Sequence, residues 1–581
     1  MQKHRAGNEV FASNSPIGIN RHNQVQTAKV SVDFIIMTMP QHTASASTPE
    51  PANHEAEAGP CGEPAAAPRS LLWRLAWWLL DLAFTAAALW LLLRSGAHVD
   101  QRAYLPDIWL AADLVFVGLS AMFWLLATTP SRALKLPRWV SIVLILSVAA
   151  LVRIAMICWW SPTLSDNFFR YRRDGHMVLH GYDPFAYLPT GHPSWHDPSI
   201  NLGYAKMAPL PYDLLDRMSN NSFIPTPYGP TFQLAFGASA WMEDHLIAAG
   251  RYKLNTPRPV RNTPAWDALV YKLAGNRRFL AYRGLYVLCD MLVIALLMWA
   301  LAIRQRSVWW AALYALNPLP LIEIAGNGHL ETVGLVFFIA SLIAALKNRW
   351  LLAAFLAGIT VMAKPYAFFM VPVLIYWFCQ SRNVNSLKRA MRELWPSGLA
   401  YATGALLPTL PFLGGMVAYA KTLHILANNF EFNGFVFDCS RYLLFAGNAG
   451  PVRALIELLW LTGLAWLLIR SWRHRLDPLW LLAQVVMLYL LLTPQVYPWY
   501  VLWALVLVPL APHRAAWLLS YSVLLSYQVW WVYRQTNVWH LAWWMFLLEW
   551  IPVAVIYVWD IRSSFTAAPP TAGYGTVTVV G

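Results

Sequence analysis

The sequence predicts an all-α polytopic membrane protein, and three observations predict it. Of 581 residues, 58% are hydrophobic and 12% charged, giving a mean hydropathy of +0.43, far from the balance of a soluble domain. Apolar runs approaching the length of a bilayer crossing recur from about residue 71 almost to the C-terminus. The 32 Trp and 25 Tyr gather near the ends of those runs, where rings with an apolar body and a polar edge anchor at the interface. The formal charge of +14 sits in short basic clusters between runs, where it sets topology, and that pattern argues against nucleic acid as a partner. The five cysteines, Cys61, Cys158, Cys289, Cys379 and Cys439, have no CxxC spacing, so neither a zinc site nor a disulfide framework is indicated.

Taken in order, residues 1–69 are rich in Ala, Pro, Ser, Thr and Glu and read as a disordered cytoplasmic tail. Met37 and Met39 sit where such a tail could start, which would make 1–36 an upstream extension. At roughly 20 apolar residues per helix, or about 17 in a thinned bilayer, about fourteen spans fit. They centre near residues 84, 117, 150, 291, 315, 339, 357, 373, 405, 461, 486, 505, 524 and 550. Those near 357, 373, 486 and 505 are short and joined by polar or Pro-containing turns, which suits tilted or re-entrant segments and sets the expectation at about 12–14 transmembrane helices. Two N-terminal spans (70–139) precede the main membrane domain (140–560), and 561–581 form a second cytoplasmic tail.

Basic residues fix the expected orientation. Arg132, Lys135 and Arg138; Arg304 and Arg306; Lys347 and Arg349; Arg382, Lys388, Arg389 and Arg392; Arg470, Arg473 and Arg475; Arg514; and Arg562 all follow even-numbered spans. Placing these inside puts both termini in the cytoplasm. The loop 161–279 is also basic, with Arg251, Lys253, Arg258, Arg261, Lys272, Arg277 and Arg278, yet long loops translocate largely regardless of charge. Within it, Tyr228 to Met242 is too short for a span and suits an interfacial helix.

On this topology the unusual polar sequences share the outer face, and ionisable groups at membrane depth are costly enough to mark function. In SDNFFRYRRDGHMVLHGYDPF (165–185), Asp166 and Asp174 lie about two helical turns apart with Arg170 midway. This is either a salt-bridged helix entrance or a general base beside phosphate-binding guanidinium groups. In NPLPLIEIAGNGHLE (317–331), His329 and Glu331 begin a span, as a polar cap or as site residues. Lys364 in MAKPY either snorkels to the interface or binds phosphate. TPQVYPWY (493–500) is a helix-breaking anchor or a lipid or sugar groove. A further outer loop, about 415–449, contains Asn428, Asn429, Glu431, Asp438 and Arg441. His424 and His540 read as isolated polar contacts.

Together these motifs resemble the GT-C superfamily of integral-membrane glycosyltransferases. The similarity is to bacterial polyprenol-phosphate-mannose-dependent mannosyltransferases and, more distantly, to GPI mannosyltransferases. The pattern D-x-x-x-R-Y-x-x-D-G followed by G-x-(N/D)-P-(Y/F) is met by Asp166, Arg170, Tyr171, Asp174, Gly175, Gly181, Asp183, Pro184 and Phe185. Y-x-P-x-x-Q is met by Tyr228, Pro230 and Gln233. N-P…G-H-x-(D/E) is met by Asn317, Pro318, Gly328, His329 and Glu331, and P-W-Y by Pro498, Trp499 and Tyr500. The matches run in order from about 140 to 512. Two departures stand out: Asn167 and Phe168 follow Asp166 where many relatives have D-x-D, and Arg173 stands where some have Trp.

The resemblance implies a GT-C-like bundle with a large outer catalytic loop, here 161–279, carrying short interfacial helices. It implies inverting transfer of a hexose, mannose above all, from a polyprenyl-phosphate donor to a glycan, glycolipid or protein acceptor at the periplasmic face of a bacterial inner membrane. Asp166 would be the general base and Asp174 its catalytic partner. Arg170, Tyr171, Tyr228, Gln233, His329, Glu331, Lys364, Arg441, Trp499 and Tyr500 would bind substrate. It makes no cofactor certain, and the missing D-x-D leaves a divalent metal, Mg or Mn, open. A transporter or flippase of lipid-linked glycans, or an envelope polysaccharide polymerase or ligase, is the alternative; the first should show internal repeats with broken helices, the second a large late outer loop.

Overall fold

The computed structural model describes residues 69–98, 101–128, 136–189, 208–210, 214–221, 224–245, 277–384, 386–536 and 538–566. The tail 1–68 with Met37, Met39 and Cys61, the basic residues Arg132 and Lys135, the loop residues Arg251 to Lys272 and the tail from 567 lie outside the described residues. Among the described residues the chain is helical, with isolated bridges between Phe432, Asn433 and Gln495 in place of strands. Each of the fourteen predicted centres falls in a helix.

Among the described residues, length and composition single out seven as long and apolar enough to cross a membrane: Leu79–Gly96, Leu105–Leu126, Arg138–Trp159, Phe279–Ile303, Leu387–Asn429, Ala449–His474 and Trp543–Phe565. An eighth arises if Val308–Ala315 and Pro318–Gly326, bent by 49°, form one broken span. Glu331–Leu346, Trp350–Ala363 and Pro478–Leu492 are apolar but shorter. The remaining expected segments, including the four read as short, fall in helices below that length or in broken ones. Prolines interrupt several of the middle runs, and each removes a ladder hydrogen bond.

The broken span shows the local cause. Asn317 caps the turn that follows, accepting from the Leu319 amide at 2.9 Å, and Pro318 and Pro320 withhold amide donors. The chain then widens into a π-helical turn, Leu321–Gly326, a device that re-aims side chains within an otherwise helical run.

Two buried arginines set the register of the elements around it. Arg153 Nε meets Asp290 Oδ2 at 2.6 Å with both side chains fully buried, joining the Arg138–Trp159 and Arg277–Ile303 helices. Tyr314 donates to the other carboxylate oxygen at 2.7 Å, and Arg153 also donates to the Ala315 carbonyl. A charge so deep is tolerable because it is paired and hydrogen-bonded. Arg283 donates to the carbonyls of Met156, Ile157 and Ala325, satisfying the open end of the first helix and drawing the π-helical turn against it.

Within the large loop, the helices Asn167–Leu179 and Pro230–His245 pack on each other so closely that a Cβ on Gly175 would lie 2.3 Å from the Phe236 carbonyl oxygen. The second of these, at 16 residues, is too short to cross a bilayer.

Candidate active site

Asp166 is the residue before the Asn167–Leu179 helix and is partly exposed. Its Oδ1 accepts from the Asn220 amide at 3.1 Å. One turn on, Arg170 is 1% exposed; its Nε donates to Asp174 Oδ1 at 2.9 Å, and its terminal nitrogens donate to the carbonyls of Asn221 and Ile224. In this structure the Arg170 donors are directed to Asp174 and to those two carbonyls. Asp174, fully buried, orients that guanidinium. Arg172 and Arg173 are likewise engaged internally, with Asp216 and Glu243 and with the Pro189 carbonyl.

Tyr171 points the other way, toward the second motif. Its hydroxyl lies 3.3 Å from His329 Nδ1, and its ring stacks on Phe236 and meets Tyr228 edge-on at 5.0 Å. Gln233, fully buried, donates to the Tyr228 carbonyl and the Thr226 hydroxyl. Those two bonds tie it to the Tyr228 turn. Gly229 makes the next approach: a Cβ there would lie 2.1 Å from the Met362 carbonyl oxygen, so only glycine lets Tyr228 come beside MAKPY.

His329 follows Gly328, whose φ of +74° turns the chain through the left-handed region at little cost. The imidazole stacks on Trp499 at 3.8 Å and 19°. Glu331 is fully buried at the start of its helix, and its Oε1 lies 3.0 Å from Lys364 Nζ. Lys364, where the Trp350–Ala363 helix ends before Pro365, sits over the Tyr500 ring at 4.4 Å and near Tyr366 at 5.5 Å. A buried ammonium so placed gains from both the carboxylate and the ring faces.

The TPQVYPWY turn is tied to the late loop. Val496 donates to the Phe432 carbonyl, Phe432 to that of Pro494, and Gln495 to those of Leu426 and Phe430. Tyr497 stacks between Phe432 and Trp499, both at 4.7 Å. Arg441 stands apart, paired with Glu431, which also holds Arg453. The structure thus brings together Tyr171, Tyr228, His329, Glu331, Lys364, Trp499 and Tyr500. Arg170, Asp174 and Gln233 stand behind them, and Asp166 lies at the more open end of the motif helix.

Sequence reasoning missed Glu323, Tyr527 and Trp160, and it read Asn327 only as a helix cap. Glu323 Oε1 accepts from Tyr527 at 2.7 Å, and Trp160 donates to Asn327, which donates to Tyr527. A carboxylate inside an apolar run between prolines and glycines was the available signal for Glu323; Tyr527 carried none. Among the described residues no group of three or more His, Cys, Asp or Glu side chains is placed to hold a metal ion, so no step is derived through one.

Residues 265–380 match the family model for the N-terminal domain of alpha-(1->6)-mannopyranosyltransferase. The matched segment contains GNGHLE and MAKPY, and it supports glycosyltransferase activity of the mannosyltransferase kind in a multi-pass membrane protein. No curated protein and no solved structure matches the chain.

Proposed function

We propose that this protein is a GT-C-type hexosyltransferase that moves mannose from a polyprenyl-phosphate sugar to an acceptor hydroxyl, with inversion, at the outer, periplasmic face of the membrane. The observation that supports it above all is the convergence of Tyr171, His329, Lys364 and Trp499, from four separate motifs, on one buried cluster at the ends of apolar helices. The donor's apolar chain would lie among lipids while its phosphate reaches Lys364, which stays paired with Glu331. As the sugar–phosphate bond breaks, negative charge grows on that phosphate, and a fixed ammonium stabilises the transition state more than the ground state. Asp166, partly exposed beside Asn220, takes the acceptor proton. Tyr228, Tyr500 and Trp499 shape the sugar subsite, and Arg441 acts through the loop it braces.

The test is reconstitution in vesicles with synthetic polyprenyl-phosphate sugars while following polyprenyl phosphate release. Wild type should turn over a mannosyl donor, and Asp166→Asn should be slower by ~10²–10⁴-fold, the usual worth of general-base help. Unchanged turnover in the variant removes Asp166 as the base. No transfer from any donor, with measurable flux of a lipid-linked glycan, replaces the enzyme with a transporter.

A further inference from the structure

Residues 161–165, just ahead of Asp166, belong to no helix and yet are buried, and buried backbone polar groups need partners. Part of that need is met by the connection between the first two helices, Arg69–Gly96 and Leu105–Thr128. The Ser161 amide donates to the Gly96 carbonyl at 3.0 Å, and the Gln101 amide donates to the Thr163 hydroxyl at 3.3 Å. Arg102, 3% exposed, donates from Nε to the Thr163 carbonyl at 2.9 Å and lays its guanidinium over the Trp530 ring at 3.9 Å. Trp530 in turn donates from its indole nitrogen to the next carbonyl, that of Leu164, at 3.2 Å. One stacked Arg–Trp pair thus holds two successive carbonyls at the entrance to the acidic motif.

Trp160 extends the arrangement to the other motif. A Cβ on Gly96 would lie 1.8 Å from its ring, and one on Gly326, in the π-helical turn, 2.9 Å from it. The first connection, the entrance to the acidic motif and the turn leading to His329 therefore share one buried contact. The first pair of helices is also seated on the rest of the protein: Trp109 donates to the Leu524 carbonyl and Trp517 to the Ser120 hydroxyl, both at 3.0 Å. Spans that served only to anchor the chain would need none of these bonds.

We infer that Arg102, with Trp530, is a positioning residue for Asp166: the connection between the first two helices fixes the backbone that aims this carboxylate, which makes the N-terminal pair a working part of the site. A carboxylate carried at the end of an irregular segment depends on such a brace, since a misplacement of about 1 Å can cost ~10²-fold in rate. The effect on transfer rests on the function proposed above, whereas the brace itself does not.

The experiment has two readouts on full-length protein in vesicles. Hydrogen exchange followed by mass spectrometry reads the brace without any substrate. Peptides spanning 160–170 should exchange at least about tenfold faster in Arg102→Met, while those from the Ala449–His474 helix stay as in wild type. Trp530→Phe keeps a ring under the guanidinium but loses the donor to Leu164, and it should loosen the same peptides; if Arg102→Met fails to fold, this variant decides alone. Unchanged exchange at 160–170 overturns the inference, as does equal acceleration in every peptide, which marks general loosening. With a turned-over donor, each variant should lower kcat at least about tenfold, with the donor KM changed by less than about threefold. In an Asp166→Asn background the same substitutions should add little, because they act through that carboxylate. Losses that multiply overturn the positioning role, and so does an unchanged kcat beside a loosened 160–170. Absence of turnover in wild type overturns the proposed function and leaves hydrogen exchange to decide the brace.

Discussion

Lys364 and Glu331 are the most exacting pair in the molecule, because each leaves the other uncompensated when removed. Lys364→Met strands a buried carboxylate and should cost about 3–5 kcal/mol, as broken buried pairs do. The double variant Lys364→Met with Glu331→Gln removes both charges and should recover most of that stability without recovering transfer. Thermal unfolding beside the release assay checks both, and equal stability of single and double variants would deny the pairing. At the same scale, the sequence identified His329, Glu331 and Lys364 as candidates from residue type and motif alone. It could not tell that Arg170 and Gln233, polar residues of the same set of motifs, direct their donors to Asp174 and to nearby backbone and hydroxyl oxygens. The difference is side-chain direction, set by packing, and no local pattern encodes it.

Elements bring these residues into reach, and two of them give separate tests. Gly229 sits where a methyl group would meet the backbone at Met362 and Ala363, and backbone cannot yield as a flexible side chain can. Gly229→Ala should push the Tyr228 turn away from Lys364, lowering transfer at least about tenfold and destabilising the protein by about 1–3 kcal/mol, the usual cost of overpacking. Retention of full activity would show that the approach is not required.

Asp438 lies in the short helix Phe435–Leu443, outside the candidate spans. Burial, with the Glu431 charge adding and Arg441 opposing, pushes its carboxyl up to about 6. A folded-state value above the unfolded one means that the fold favours the protonated form. Its contribution is full below about pH 4 and is lost as the pH rises through about 6. Asp438→Asn should therefore match wild type at pH 4 and exceed it by about 1–2 kcal/mol at pH 8, its partial exposure screening the effect. A stability difference that does not vary with pH would contradict this. The helices themselves were legible as apolar runs; their lengths were less so, because the π-helical turn at Leu321–Gly326 and the cap at Asn317 are responses to neighbours as much as to prolines.

For the whole molecule, the charge clusters between spans make a prediction about sidedness. In a cysteine-free background, cysteines at the exposed positions Asn383 and Asn429 should react with a membrane-impermeant maleimide from opposite sides of sealed vesicles, Asn429 from the face that carries the site. Labelling of both from one side would break the topology inferred from the basic residues. The buried Arg153–Asp290 pair belongs to this scale too. It lies between the helix leading into the acidic motif and the helix leading toward the broken span, so it sets how the two halves of the site meet.

The sequence by itself determined that the chain is a helical membrane protein, where its apolar segments lie, and which four motifs carry unusual polar groups. Composition and periodicity suffice for that, since a bilayer leaves a chain few ways to satisfy its backbone. Tertiary structure alone decided which of those polar groups face one another. Tyr171 meets His329 across 158 positions and Tyr527 meets Glu323 across 204, and such pairings follow from how whole helices pack. The acidic motif came out divided by the same packing: Asp166 at its accessible end, Tyr171 toward the histidine, and Arg170 with Asp174 turned inward to hold the loop that frames them.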